Sequence, residues 1–131
     1  MPTGSPRPPL DVLIADPDLT AAAGLAQIVR LFGHTARIAA SARHVVQLAG
    51  EPFPDVVVLD VIFPGVDGYA VAECLRAFLP RRTLIAVVTA RPGYEGWSRV
   101  EGIDHHFNKP LQVADLEDLL RLAESVSHPQ G

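Results

Sequence analysis

The chain has 131 residues, of which 48% are apolar and 20% charged, and a formal net charge of −4. A chain of that size suits one domain around one core, the apolar share excludes disorder across its body, and no apolar run approaches the roughly 18 residues that a membrane span requires. An acidic balance with no basic block beyond Arg81-Arg82 offers none of the phosphate attraction on which nucleic-acid binding rests, so neither a nucleic acid nor a membrane is expected as partner.

Residues 1–9, rich in Pro, Gly and Ser, and residues 127–131 read as flexible tails around one domain at 10–126. The N-terminus lacks the apolar centre of a secretory signal, which makes the cytoplasm the expected location. Asp11 to Ala15 (DVLIA) is a short apolar, β-branched run, read as a strand; Asp16-Pro17-Asp18 breaks it before a helix with Leu25, Ile28, Val29 and Phe32 on one face. Gly33 suits the C′ position of that helix, and Thr35 to Ala39 reads as a second strand. Ser41 can cap a helix running to about Ala49, with Val45, Val46 and Leu48 apolar, before Gly50 to Pro54 stops it. Asp55 to Asp60 (DVVVLD) has the unbroken apolar centre of a strand buried on both faces, so it should be central in a parallel sheet. After the turn at Phe63 to Gly68, Val71, Leu75 and Phe78 are spaced for one helix face, with Pro80 as the stop. The lone Cys74 falls in this helix, where it has no intramolecular disulfide partner and a structural role is expected. Thr83 to Thr89 is a fourth strand. Arg91 to Glu101 has weak periodicity, a fifth strand follows near Ile103 to Asn108, and Val113 to about Ser125 forms an amphipathic helix.

Five strands alternating with helices predict a three-layer α/β/α sandwich with a parallel sheet and right-handed crossovers. In such sheets the polar residues at the carboxyl ends of the central strands meet in one crevice. Those residues are Asp16, Pro17 and Asp18 after the first strand, Asp60 at the end of the third, Thr89 at the end of the fourth and Lys109 after the fifth. Taken singly, an Asp at a strand end is more often a turn or cap residue. Taken together, and with Lys109 the one lysine among the 11 basic residues, they suit phosphoryl transfer, in which a protein mainly positions groups and neutralises charge. One carboxylate would take the phosphoryl group, its neighbours would bind Mg²⁺, and the ammonium and hydroxyl would meet phosphoryl oxygens.

At these residues the chain resembles the receiver domains of two-component response regulators, over about residues 11–125. The resemblance rests on VVVLDVIFPGVDGYAV, in which Asp60 is followed by Pro64, Asp67 and Gly68, on VVTA at Val87 to Ala90, and on Asn108-Lys109-Pro110. It implies a flavodoxin-like sheet of order 2-1-3-4-5, Asp60 as phosphoacceptor, Thr89 as switch hydroxyl and Lys109 as the phosphoryl-contacting lysine. It further implies Mg²⁺ on Asp16, Asp60 and the Ile62 backbone carbonyl, and a cis Lys109-Pro110 bond. A histidine kinase or histidine phosphotransfer protein would donate the phosphoryl group, docking a helix on the small-residue surface of Ala21, Ala22, Ala23, Gly24 and Ala26. With nothing read as an output domain, the signal would pass to a downstream protein target.

Three departures from the family pattern stand out. Counting back from Gly33, Asp16 takes the first of two usual acidic positions and Pro17 the second, so the usual direct Mg²⁺ ligand is missing and Asp18 is a further candidate. His106 replaces the Tyr or Phe that moves with the Thr, and reads either as an exposed structural residue or as an aromatic switch. The interval between Thr89 and Lys109 is short and carries Pro92, Gly93 and Gly96, so its helix should be short or irregular; Tyr94 and Trp97 there are candidate surface contacts, and Arg91 flanks the pocket. Two alternatives follow. A receiver-like interaction module would signal without phosphorylation because Pro17 spoils the metal site. A haloacid-dehalogenase-type phosphatase would use VLIADPDLT with Asp16 as nucleophile and Asp18 as acid/base, but it needs an acidic pair on a later strand where only Asp115, Glu117 and Asp118 of the last helix are found.

Overall fold

The computed structural model describes residues 8–50, 52–90 and 102–127. The expectations for the outermost tail residues and for Arg91 to Glu101, including the irregular helix and the surface of Tyr94 and Trp97, lie outside the described residues.

Runs of β-branched and apolar residues form β1 (Asp11–Ala15), β2 (Thr35–Ala39), β3 (Val56–Asp60), β6 (Leu84–Thr89) and β7 (His105–Asn108), which pair in parallel in the order β2-β1-β3-β6-β7. Counting only these long strands, that is the expected 2-1-3-4-5. Two short strands, β4 (Ile62–Phe63) and β5 (Val66–Asp67), add an antiparallel hairpin that the sequence shows only as a turn. The helices are α1 (Leu19–Leu31), α2 (Ala42–Ala49), α3 (Gly68–Phe78) and α4 (Val113–Ser127). One core cluster joins Val57, Leu59, Val45, Leu75 and Ile85 on the α2 and α3 face; a second joins Ile14, Val58, Val29, Leu116 and Leu119 on the α1 and α4 face. Every residue of β3 is buried, because β1 and β6 flank it and helices cover both of its faces.

Several details differ from the sequence reading. Phe32 and Phe78 are 38% and 39% exposed: both stand at helix C-termini, and Val29 and Leu75 one turn upstream take the core positions. Val46 of α2 also faces outward, leaving Val45 and Ala49 as that helix's buried residues. In α1 the buried stripe is Ala22, Ala26 and Val29, so Ala22 and Ala26 belong to the core and Ala21, Ala23 and Gly24 remain on the surface. Asp55 and Thr83 stand just outside their strands as fasteners. The Asp55 carboxylate accepts from the Asp11 N–H and pairs with Arg82, and the Thr83 hydroxyl donates to the Pro54 carbonyl. At the same end of the sheet Arg37 grips Asp11 with two nitrogens, at 3.0 and 2.9 Å, and donates to the carbonyls of Leu48 and Pro52.

A backbone bond ties the far end of the hairpin to the residue that follows β3. Gly68 donates its N–H to the Val61 carbonyl at 3.0 Å, and a Cβ at Gly68 would overlap the Val61 backbone. Asp67 before it caps α3 by accepting from the Tyr69 N–H. Gly68→Ala should therefore destabilise the domain by about 1–3 kcal/mol, the usual range for overpacking, read as a lowered urea midpoint with the slope unchanged.

Candidate functional site

The sheet register brings the strand ends together. Ala15 pairs with Leu59, Asp60 with Val88, and Thr89 with Asn108. Backbone bonds carry the pattern into the loops: Asp16 N–H donates to the Ala39 carbonyl, Val61 N–H to Val88 and Lys109 N–H to Thr89. Asp16, Asp60, Thr89 and Lys109 are thus held by the main chain before any side chain interacts.

The side chains then make a compact ionic group. Lys109 Nζ lies 2.6 Å from Asp60 Oδ2 and 3.8 Å from Asp16 Oδ2. Asp60 Oδ1 accepts from the Ile62 N–H at 2.9 Å, so both oxygens of this carboxylate, whose residue is 6% exposed, have a partner. Asp16 Oδ1 accepts from the Asp18 N–H at 2.8 Å. The Lys109-Pro110 peptide is cis, as expected.

The other expected site residues lie around this group. Asp18 is the N-cap of α1, its Oδ1 accepting from the Thr20 and Ala21 N–H groups. Thr89 is fully buried and lines a second, smaller hollow with Ile62 and Tyr69. Ile62 is 50% exposed on the hairpin, and its N–H, which the sequence does not single out, is what orients Asp60. His106 is half-buried in β7 and not exposed, with Val87 of the neighbouring strand β6 as its register partner. His105 and Phe107 stack on the opposite face with ring centroids 5.9 Å apart. Cys74 is exposed on α3.

Electrostatics follow from this packing. Burial raises the Asp16 carboxyl above its ordinary 3.8; the Asp18 N–H and the Lys109 charge pull it down, while the charge and hydrogen bonding of Asp60 add to the rise. For Lys109 burial is the largest single influence and lowers the ammonium, but Asp60, Asp16 and Asp18 together outweigh it and the net shift is upward. Burial pushes His106 below its ordinary 6.5. Among the described residues no three His, Cys, Asp or Glu side chains converge to hold a metal. Two carboxylates, Asp16 and Asp60, do converge, and that number falls within what Mg²⁺ uses when waters and phosphate oxygens complete its shell.

Comparison with known proteins identifies the family and the fold. The family model of the response regulator receiver domain matches residues 12–121. The chain is 33% identical over 116 residues to the transcriptional regulatory protein PrrA of Mycobacterium tuberculosis, covering 86% of this chain and 47% of PrrA. It is 34% identical over 116 residues to the transcriptional regulatory protein TcrA of the same species, covering 84% and 44%. The chain therefore spans less than half the length of these relatives. In fold it is similar to a CheY-like receiver domain protein from Methanospirillum hungatei, with a TM-score of 0.84 and 22% identity over 95% of this chain and 100% of that one. A CheY-like receiver domain from Methylobacillus flagellatus gives 0.81 and 22%, over 88% and 99%. The chain belongs to the response regulator receiver family, whose domains are signalling modules. The phosphatase reading falls with that assignment: the carboxylate it would use as acid/base, Asp18, is engaged in capping α1.

The raised Asp16 pKa has a measurable consequence. Between 3.8 and its higher folded value the native state binds more protons than the unfolded state, so this group makes stability fall as pH rises through that interval. Asp16→Asn keeps an acceptor for the Asp18 N–H and removes the loss. Its melting temperature should match wild type near pH 3, below both values, and exceed it by a margin that widens as pH rises, then levels off. A variant that melts below wild type at neutral pH contradicts this account.

Proposed function

We propose that this receiver domain accepts a phosphoryl group on Asp60 from the phosphohistidine of a histidine kinase or histidine phosphotransfer protein, and signals through contacts with a downstream protein in the cytoplasm. The observation that carries this reading is the 2.6 Å contact between the Lys109 ammonium and an Asp60 carboxylate held at the end of the central strand. An Asp60 oxygen attacks phosphorus, the P–N bond breaks with its electron pair going to the imidazole, and Asp60 becomes an acyl phosphate. Lys109 exchanges its carboxylate contact for the phosphoryl oxygens, which keeps its charge compensated throughout. The Thr89 hydroxyl donates to another phosphoryl oxygen, and its movement, with that of His106 two strand positions from Asn108, passes the change to the surface. The exposed part of α1 at Ala21, Ala23 and Gly24 receives the donor helix.

Asp16 and Asp60, with the Ile62 carbonyl, would hold Mg²⁺, which supplies neutralisation of the phosphoryl charge. Asp18 contributes less, since its carboxylate serves the helix end. No turnover beyond self-phosphorylation and self-dephosphorylation is proposed. A second reading, an interaction module that works unphosphorylated, is favoured by one observation: Pro17 leaves two converging carboxylates where the family pattern has three.

Incubation with acetyl phosphate and Mg²⁺ followed by intact-mass measurement separates the two. Wild type should gain one phosphoryl mass and Asp60→Asn none, and Lys109→Ala should label at least about a hundredfold more slowly, the usual loss when one charge-stabilising donor is removed. Pro17→Asp should label at lower Mg²⁺ than wild type. An unlabelled wild type beside a labelled Pro17→Asp would establish the interaction module instead.

A further inference from the structure

Lys109 reaches Asp60 only if β7 lies in the right register against β6, and the sequence of β7 does little to secure that register. Parallel strands are joined by a crossover and not by a tight turn, so no short loop sets their alignment. Strand β7 has 4 residues, stands at the edge of the sheet, and none of its residues is fully buried. A strand with so little core contact specifies its pairing weakly.

Two side chains at the opposite end of the strands supply what β7 lacks. Ile85 of β6 is fully buried, so both of its backbone polar groups need partners. Asp104, the residue before β7, meets both of them: its N–H donates to the Ile85 carbonyl at 2.8 Å, and its Oδ2 accepts from the Ile85 N–H at 2.8 Å. A side chain thereby completes a rung of the ladder. Arg76, in the last turn of α3, then aligns the two strand entries. Its Nη1 donates to the Thr83 carbonyl, just before β6, at 3.0 Å and to the Gly102 carbonyl, ahead of β7, at 3.3 Å, and lies 3.6 Å from Asp104 Oδ2. Its Nη2 donates to the Pro80 carbonyl at 2.6 Å, which fixes the guanidinium to its own helix end. Gly102 is part of the arrangement, since its φ is 94° and a Cβ there would overlap the stem of Arg76.

The alignment made at Asp104 is carried along β7 to the site. His105 stands opposite Ala86 and Asn108 opposite Thr89, the Lys109 N–H meets the Thr89 carbonyl, and Lys109 Nζ lies 2.6 Å from Asp60. A slip of one residue would displace Lys109 by about 3.3 Å and break that contact. We propose that Arg76 and Asp104 form a register lock that positions Lys109 on Asp60 from the far end of the sheet. They are positioning residues, remote from the reacting atoms. Their bearing on phosphoryl transfer rests on Asp60 being the phosphoacceptor; their hold on Lys109 does not.

Lys109 is the one lysine of the chain, so acetylation of its amine by acetic anhydride at fixed pH, mapped by mass spectrometry apart from the N-terminus, reports how firmly it is held. Without Mg²⁺ or phosphodonor, Arg76→Met and Asp104→Ala should each acetylate Lys109 at least about tenfold faster than wild type, the effect of a lost charge-assisted hydrogen bond on local opening. Asp104→Asn keeps an acceptor for the Ile85 N–H and should lie closer to wild type. Val45→Ala, a core truncation on α2, should lower the melting temperature and leave the acetylation rate unchanged. Wild-type protection of Lys109 in folded Arg76→Met and Asp104→Ala, or equal acceleration in Val45→Ala, overturns the proposal. With acetyl phosphate and Mg²⁺ the two fast-acetylating variants should label more slowly than wild type. A wild type that takes no phosphoryl group refutes the phosphoacceptor reading and leaves the acetylation result to decide on the lock.

Discussion

The Asp60 carboxylate sits at the end of a strand buried on both faces and is itself 6% exposed. A charge so placed must be compensated within the protein, and removing one partner of such a pair is far more costly than the pair is favourable. Lys109 provides that compensation, and its position depends on much of the fold. The ladder from β3 through β6 to β7 carries Lys109 to the Thr89 carbonyl, and the turn that follows sends its side chain back over β3. The Ile62 N–H orients the second oxygen of Asp60, which requires the hairpin to fold back closely over the strand end. That closeness is what Gly68 permits at Val61, so the turn after Asp60 and the charge on Asp60 form one device.

Where local chemistry and global pattern agree, the sequence was sufficient. β1 and β2 begin and end where their apolar runs do, and Ser41 and Gly33 mark helix ends through side-chain capping and a positive φ. The strand-end residues Asp16, Asp60 and Lys109 meet because a parallel sheet leaves them no other direction. What was not legible depends on three-dimensional neighbours. Phe32 and Phe78 satisfy helical periodicity yet stand outside the core, since periodicity fixes a face and says nothing about where the covered surface ends. The hairpin was hidden because two-residue strands have no period to read. Asp18 illustrates a different limit: a carboxylate in an acidic loop can be ligand or cap, and only the two hydrogen bonds from Thr20 and Ala21 decide for the cap.

The loop after β1 divides its two acids between different partners. With Pro17 between them, Asp16 turns toward Lys109 and Asp18 toward the helix, so two acids close in sequence serve different partners. Burial of Asp16 near a second carboxylate works against its charged form, an arrangement that stability alone would not select. A positive charge placed there would relieve that repulsion.

The strand ends open on both faces of the sheet. Thr89 is directed to the hollow on the hairpin side, with Ile62 and Tyr69, whereas Val58, Val88 and Lys109 border a cleft on the α1 side. Asp60 lines the α1-side space as well, and neither it nor Lys109 lines the hollow at Thr89. The link between the two spaces is the main chain: the Lys109 N–H donates to the Thr89 carbonyl, so the residue whose ammonium meets Asp60 is tied to the strand end whose side chain lines the hollow.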